Sequence, residues 1–154
     1  AVQAPWTAPM PATKRALVID TLGNLEVASA TEYLAMNGCE VTIATASPQY
    51  GHACGFTHLK ELLERLPRLG VRIETSTVLA GIDDGRAMLR HLYSGEQRAV
   101  TVDAIVGGVA PFANDSLAHA ARVAQVPVMT VGDAVAPRSA LHAFREGDDA
   151  GRAI

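Results

Sequence analysis

Three stretches of this chain combine residue types and spacings that could do chemistry. The first is Asp20-Thr21-Leu22-Gly23-Asn24-Leu25-Glu26, which joins an apolar run to a helical pattern. At such a junction, free backbone N–H groups and the helix dipole can hold a pyrophosphate. Gly23, Asn24 and Leu25 are therefore candidate cofactor-binding residues. The full dinucleotide signature uses three glycines with separate jobs. Only Gly23 is present, and Asp20 and Glu26 bring negative charge to the spot. A tight turn without a ligand accounts for the same residues, and both readings stand. The second stretch is Ala44-Thr45-Ala46-Ser47-Pro48, where a nucleotide site would carry an acid for a ribose or an arginine for its phosphate. Neither is there; Thr45 or Ser47 could supply one hydrogen bond. The third is Val131-Gly132-Asp133-Ala134-Val135-Ala136-Pro137-Arg138-Ser139-Ala140. Here an acid closes a strand-like run and a helix begins near Ser139 and Ala140. A carboxylate so placed can bond sugar or ribityl hydroxyls, and the helix N-terminus can face a pyrophosphate or a flavin edge. The competing reading is a capped loop in which Asp133 bonds backbone N–H groups.

The remaining chemistry-bearing residues are sparse. His52, Cys54 and His58 could be drawn as a metal cluster, but no fourth ligand has zinc-like spacing. His119 and His142 fall on helical segments and read as surface or half-buried polar residues. Cys39 and Cys54 form no CxxC and read as reduced thiols in a cytoplasmic protein. No Ser-His-Asp or Cys-His arrangement and no Walker loop stands out, so neither a catalytic residue nor a metal site is expected.

The elements that must position these residues follow an alternating pattern. Arg15–Ile19 and Glu40–Ala44 are short apolar runs of the kind buried on both faces of a parallel sheet. Between them, residues 24–37 have approximately helical spacing through Val27, Ala30, Leu34 and Met36, with a stop at Asn37-Gly38. This is one βαβ crossover in size. Residues 57–69 predict a helix with Leu59, Leu62, Leu63 and Leu66 on one face. Val71–Leu79, Arg86–Leu92 and Arg98–Val102 then read as an antiparallel meander, turning at Asp83-Asp84-Gly85 and Ser94-Gly95. Val102–Val106 is another buried strand, ending at Gly107-Gly108, and Gly108 is counted with the candidate binding residues. A helix over 114–123, a strand over Val126–Val131 and a last helix from Ser139 to Ile154 complete the pattern. Leu141 and Phe144 of that last helix are expected to pack inward. The fold class expected is α/β, a Rossmann-like parallel sheet with an inserted antiparallel β-meander.

Length and composition set further bounds. With 154 residues, the chain is one domain, or one domain and a piece of another. Its 13 basic and 16 acidic residues leave a net charge of −3, which gives a nucleic-acid partner no electrostatic driving force. No apolar stretch approaches the ~20 residues that span a bilayer. The first residues include three prolines and no basic-then-apolar pattern, so an arm is expected there rather than a signal peptide.

Four runs together resemble one family: ALVIDTLGNLEVASATEYLAMNGCEVTIAT, THLKELLERLPRLGVRIETSTV, VDAIV and VGDAVAPRSALHAFREGDDAGRAI. They are similar to the C-terminal portion of the trimethylamine dehydrogenase and 2,4-dienoyl-CoA reductase group of NADH:flavin oxidoreductases. The GDAVAPR stretch is the most specific of them, and the resemblance runs from Lys14 to Ile154. It implies a pyridine-nucleotide-type domain with a meander, inserted in an FAD- or ADP-binding domain. Residues 1–14 would then be an arm or linker. Residues 15–125 would be the NAD(P)-binding-like domain, and 126–154 the closing segment of the FAD/ADP-binding domain.

The resemblance further implies that Asp133 faces the ribityl or ribose region of FAD or ADP, with Arg138 to Ala140 near the pyrophosphate or flavin. Gly23 to Leu25 would lie by an NAD(P) pyrophosphate. FMN and an iron–sulfur cluster are expected only on the flavin-barrel portion or a partner subunit. The chain itself would be a piece or subunit of a larger electron-transferring enzyme that pairs with itself or another chain. Two departures weaken the case for NAD(P)H: the depleted glycine turn, and Gly107-Gly108-Val109-Ala110-Pro111 after the 102–106 strand. The alternative is a structural or docking module whose Rossmann site has decayed.

Overall fold

A computed structural model describes residues 14–153, so the expected N-terminal arm and Ile154 lie outside the described residues. The chain divides into two units between Val109 and Ala110.

In the first unit, four parallel strands lie in the order β3-β2-β1-β7: β1 (Arg15–Asp20), β2 (Glu40–Thr45), β3 (Arg72–Glu74) and β7 (Ala104–Gly108). Successive side chains of a strand point to opposite faces, and the two faces of β1 and β2 are both covered. Ala16, Val18, Val41 and Ile43 pack against Val27 and Ala28 of helix α1 (Leu25–Met36), and against Leu62 and Leu66 of α2 (Phe56–Arg68). Leu17 and Ala44 pack instead on Ala87 and Leu89 of an antiparallel sheet formed by β4 (Thr77–Asp83), β5 (Arg86–His91) and β6 (Gln97–Thr101). The unbroken apolar runs of β1 and β2 thus have a cause: helices on one face, the meander on the other.

Asn24 caps α1, its side chain accepting from Val27 N–H at 3.2 Å. Not all of the expected α1 and α2 stripes are interior. Met36 and Leu63 are exposed: Met36 lies on the face of α1 opposite Val27 and Thr31, and Leu63 at the rim of the packed face of α2. The stretch expected as one extended segment, Val71–Leu79, is two strands in two sheets. Ser76 takes a left-handed conformation (φ 51°) between them, and the chain leaves the parallel sheet there for the meander. At the opposite ends of the strands from the candidate turn, Asp103 ties β1 to the start of β7. It accepts from the N–H groups of Lys14 and Arg15 and pairs with the Arg15 guanidinium at 3.0 Å.

These bonds hold the Asp103 carboxyl below its usual range, the Arg15 side chain contributing most. A depressed native-state value adds stability that is present above the ordinary carboxylate range and is lost as the pH falls through the lowered value. Acid titration of unfolding should therefore show Asp103→Asn losing part of the wild-type drop below pH ~4. Superimposable acid limbs would refute this role.

In the second unit, α3 (Ser116–Val123) is followed by an extended but unpaired stretch, a single 3-10 turn (Gly132–Ala134) and α4 (Ala140–Arg152). The expected strand over Val126–Val131 is not formed. A strand exists only through ladder bonds to a neighbour, and among the described residues no segment pairs with it. Val126, Val128, Met129 and Val131 are all exposed. The inward packing expected of Leu141 and Phe144 is also corrected. Both are exposed, since the described residues place no apolar layer against that face of α4.

Candidate functional site

The carboxyl ends of the parallel strands converge at one edge of the first unit. From β1 the chain moves outward to β2 and β3, then returns on the other side as β7. The reversal between β1 and β7 is the crevice in which open α/β sheets bind ligands. Asp20 ends β1 in register with Thr45 of β2 on one side and Gly108 of β7 on the other. The candidates Gly23, Asn24, Leu25, Thr45 and Gly108 therefore gather at this edge.

Part of what would receive a pyrophosphate there is already engaged. Asp20 is 1% exposed, and its Oδ1 accepts from Leu22 N–H at 3.0 Å and Gly23 N–H at 2.7 Å. Thr21 donates both its N–H (3.0 Å) and its hydroxyl (2.9 Å) to the Gly108 carbonyl, stitching β1 to β7 across the crevice. Gly23 has φ +60°, and a Cβ there would lie 2.3 Å from His52 Nδ1, so the imidazole covers the glycine's open side. The same covering segment donates Ala53 N–H to the Gly23 carbonyl at 2.9 Å. Glu26, in the first turn of α1, is tied to Asn24 Nδ2 at 2.9 Å. Thr45 is buried, and its hydroxyl accepts from Ser47 N–H at 3.3 Å. Two features of this turn work against a pyrophosphate. Asp20 already holds the Leu22 and Gly23 N–H groups, and a second carboxylate, Glu26, stands at the helix start.

Two buried polar atoms here have no hydrogen-bond partner among the described residues: Asp20 Oδ2 and the Tyr50 hydroxyl. Burial, and then the charge of Asp20, pushes the Tyr50 phenol up and keeps it protonated. The same two causes raise the Cys54 thiol, whose Sγ lies 3.4 Å from the Gly23 carbonyl oxygen. A reactive cysteine needs the opposite shift, so Cys54 is a packing residue. No group of three or more metal-ligating side chains occurs among the described residues.

The other candidates gather in the second unit. Gly132 opens the 3-10 turn at φ +63°, and its N–H donates to Glu146 Oε2 at 2.7 Å. Asp133 is exposed, and its carboxylate has no partner among the described residues. Arg138 is engaged: it pairs with Glu146 of α4 and donates from Nε to the Ala136 carbonyl at 3.1 Å. Ser139 occupies the cap position of α4, but its hydroxyl lies 2.9 Å from His142 Nδ1 and caps no N–H. Ala140 is the first helical residue, and the first turn of α4 carries no acid. Uncapped helix N–H groups and an unengaged carboxylate on one loop suit a ligand with both anionic and hydroxyl groups.

Sequence reasoning missed four participants. His52 and Tyr50 come from a loop with no motif, and Thr21 acts through a partner 87 residues away. Glu146 lies 14 residues from Gly132. Asp20 itself was singled out, as negative charge in the turn.

No family model matches the chain, and no curated protein does. Solved structures do match. Histamine dehydrogenase from Rhizobium sp. 4-9 aligns over 90% of this chain and 23% of its own length, with TM-score 0.80 and 23% identity. A 2-naphthoyl-CoA reductase bound to 2-naphthoyl-CoA aligns over 92% and 21%, with TM-score 0.75 and 22% identity. The bacillithiol disulfide reductase of Bacillus cereus aligns over 67% and 31%, at TM-score 0.57 and 16% identity. The first two belong to the trimethylamine dehydrogenase and 2,4-dienoyl-CoA reductase group, and the third is a pyridine nucleotide-disulfide reductase. The likeness establishes the fold, a parallel sheet with helices and a meander of the FAD/NAD(P)-binding type. The chain spans less than a third of each of these proteins.

Proposed function

We propose that this chain is the nucleotide-binding-type region of a flavin-dependent oxidoreductase. It holds and orients a dinucleotide, while the cofactor carries the electron chemistry and the chain makes or breaks no bond itself. One observation carries the reading: a single short loop carries both an unengaged Asp133 carboxylate and, at its end, the uncapped start of α4. FAD or ADP is the ligand chemistry this suits, with Asp133 on a sugar or ribityl hydroxyl and the Ser139–Ala140 N–H groups on phosphate oxygen. Residues 15–125 are then the NAD(P)-binding-type domain and 126–154 the closing segment of an FAD- or ADP-binding domain. The flavin-barrel portion, with its FMN and iron–sulfur cluster, belongs to the rest of the enzyme or to a partner subunit. A cytoplasmic setting, in which Cys39 and Cys54 stay as thiols, goes with this reading. Among the described residues no helix is long and apolar enough to cross a membrane.

A second reading is favoured by a different observation. Asp20 and Thr21 have closed the crevice of the first unit, as a structural or docking module would. Thermal unfolding with added FAD, ADP, NADH and NADPH separates the two. FAD or ADP should raise the midpoint, since a ligand at 100 times its Kd stabilises by about 2.7 kcal/mol. Asp133→Ala should abolish that rise, and NADH and NADPH should leave the first unit unmoved. A midpoint indifferent to all four would replace the nucleotide reading with the docking one. Native mass spectrometry of the gently purified chain adds the partner, expected as a larger flavin-carrying polypeptide.

A further inference from the structure

The loop from Gly132 to Ala140 holds its shape through one side chain outside it. Glu146 sits on α4, and its carboxylate spans two points of the loop: Oε2 accepts from the Gly132 N–H at 2.7 Å, and Oε1 pairs with the Arg138 guanidinium. Gly132 lies just before Asp133, and Arg138 just before Ser139. The two attachments therefore bracket the segment that presents the Asp133 carboxylate and the start of α4. Little else restrains it. Asp133 is exposed and Ser139 caps nothing, and within the loop the Val135 and Ala136 N–H groups return to the Gly132 carbonyl while Arg138 Nε donates to the Ala136 carbonyl. A carboxylate bonded to a backbone N–H and a guanidinium makes charge-assisted bonds, the stronger kind. Gly132 is left-handed at φ +63°, and a Cβ there would lie 3.4 Å from Ala143, so the loop passes close over α4 where Glu146 reaches it.

We propose that Glu146 is a positioning residue for nucleotide binding. It fixes Asp133 relative to the α4 N-terminus by clamping both ends of the loop between them. This rests on the reading that the loop receives FAD or ADP. Glu146 touches no ligand in this role; it acts through Gly132 and Arg138. The charged and titratable groups around it are Arg138 from the loop, with His142 and Asp149 on α4 itself. Arg138 and the Gly132 N–H favour its ionised form.

The test uses the whole 154-residue chain and two readouts. Amide hydrogen exchange at Gly132 reports the clamp with no ligand present, and ADP titration reports its consequence. Glu146→Ala should speed exchange at Gly132 by roughly tenfold or more, the loss expected of a bond to a charged acceptor. The α4 amides should keep their protection, because alanine is the better helix former. ADP affinity should fall by a similar factor. Glu146→Gln keeps an oxygen for the Gly132 N–H but loses the ion pair, so it should retain protection at Gly132 and recover part of the affinity. Unchanged Gly132 exchange in Glu146→Ala would overturn the clamp whatever ADP does. Uniformly faster exchange throughout α4 would reduce Glu146 to general helix support and overturn the positioning role. A wild-type chain that protects Gly132 but binds no ADP would overturn the nucleotide reading and with it the role assigned to Glu146.

Discussion

Asp20→Ala is expected to lower the free energy of unfolding by about 2–4 kcal/mol, read from the urea midpoint at neutral pH. The substitution leaves the Leu22 and Gly23 N–H groups without their acceptor in a buried turn. Each such orphan costs about 1–3 kcal/mol. Part of that is returned, because Asp20 Oδ2 is itself unpartnered in the native turn and its burial is relieved. Asp20→Asn separates shape from charge. Its amide oxygen can still accept from both N–H groups, so it should retain most of the stability, at a weaker bond strength. An alanine variant within 0.5 kcal/mol of wild type, a small surface-type effect, would show that the carboxylate does not hold the turn. The closed-crevice description would then fail with it.

Gly108→Ala is expected to be as damaging for a different reason. A Cβ there would fall 2.4 Å from Val27 Cγ2 and 3.3 Å from the Ile19 carbonyl oxygen. Val27 cannot step aside easily, since it is buried in α1 and a β-branched side chain in a helix has one strongly preferred rotamer. The clash must be absorbed by moving α1 away from the sheet, which overpacking data put at about 1–3 kcal/mol. The Thr21 bonds to the Gly108 carbonyl would be strained with it. Val27→Ala alone should also destabilise, by leaving a cavity. The two together should be less harmful than their sum, because alanine at 27 opens the space that the new methyl group needs. Strict additivity in that double-mutant cycle would contradict the contact. So would a Gly108→Ala variant as stable as wild type.

How far the sequence reached depended on whether a residue's role is local. The β1 and β2 runs were legible because a strand covered on both faces has to be apolar throughout, and the βα turn was legible from Gly23 alone. The break at Ser76 was not, because serine carries no signal for the left-handed conformation it takes there. Val126–Val131 has the composition of a buried strand, yet composition cannot supply the neighbour that a strand requires. The site shows the same division. Asp20 was singled out as a charge hostile to phosphate. That it is also the acceptor for the turn's own N–H groups needed atomic positions. His52 was weighed as a metal ligand, although its imidazole covers Gly23. Glu146 went unnoticed because no periodicity links it to Gly132.

The carboxylate inside the β1–α1 turn also bears on how such a chain can change over evolutionary time. In a nucleotide-loaded turn, the phosphate contributes to holding the loop. Here the loop is complete without it. To take a phosphate at Leu22 and Gly23, the chain would first have to give up Asp20, whose expected cost of about 2–4 kcal/mol is a large share of the roughly 5–15 kcal/mol that typically separates folded from unfolded domains. It would also have to turn His52 away from Gly23, and Glu26 away from the helix start, before any phosphate contact offered a return. A phosphate site at this turn is therefore reached only through several changes made together.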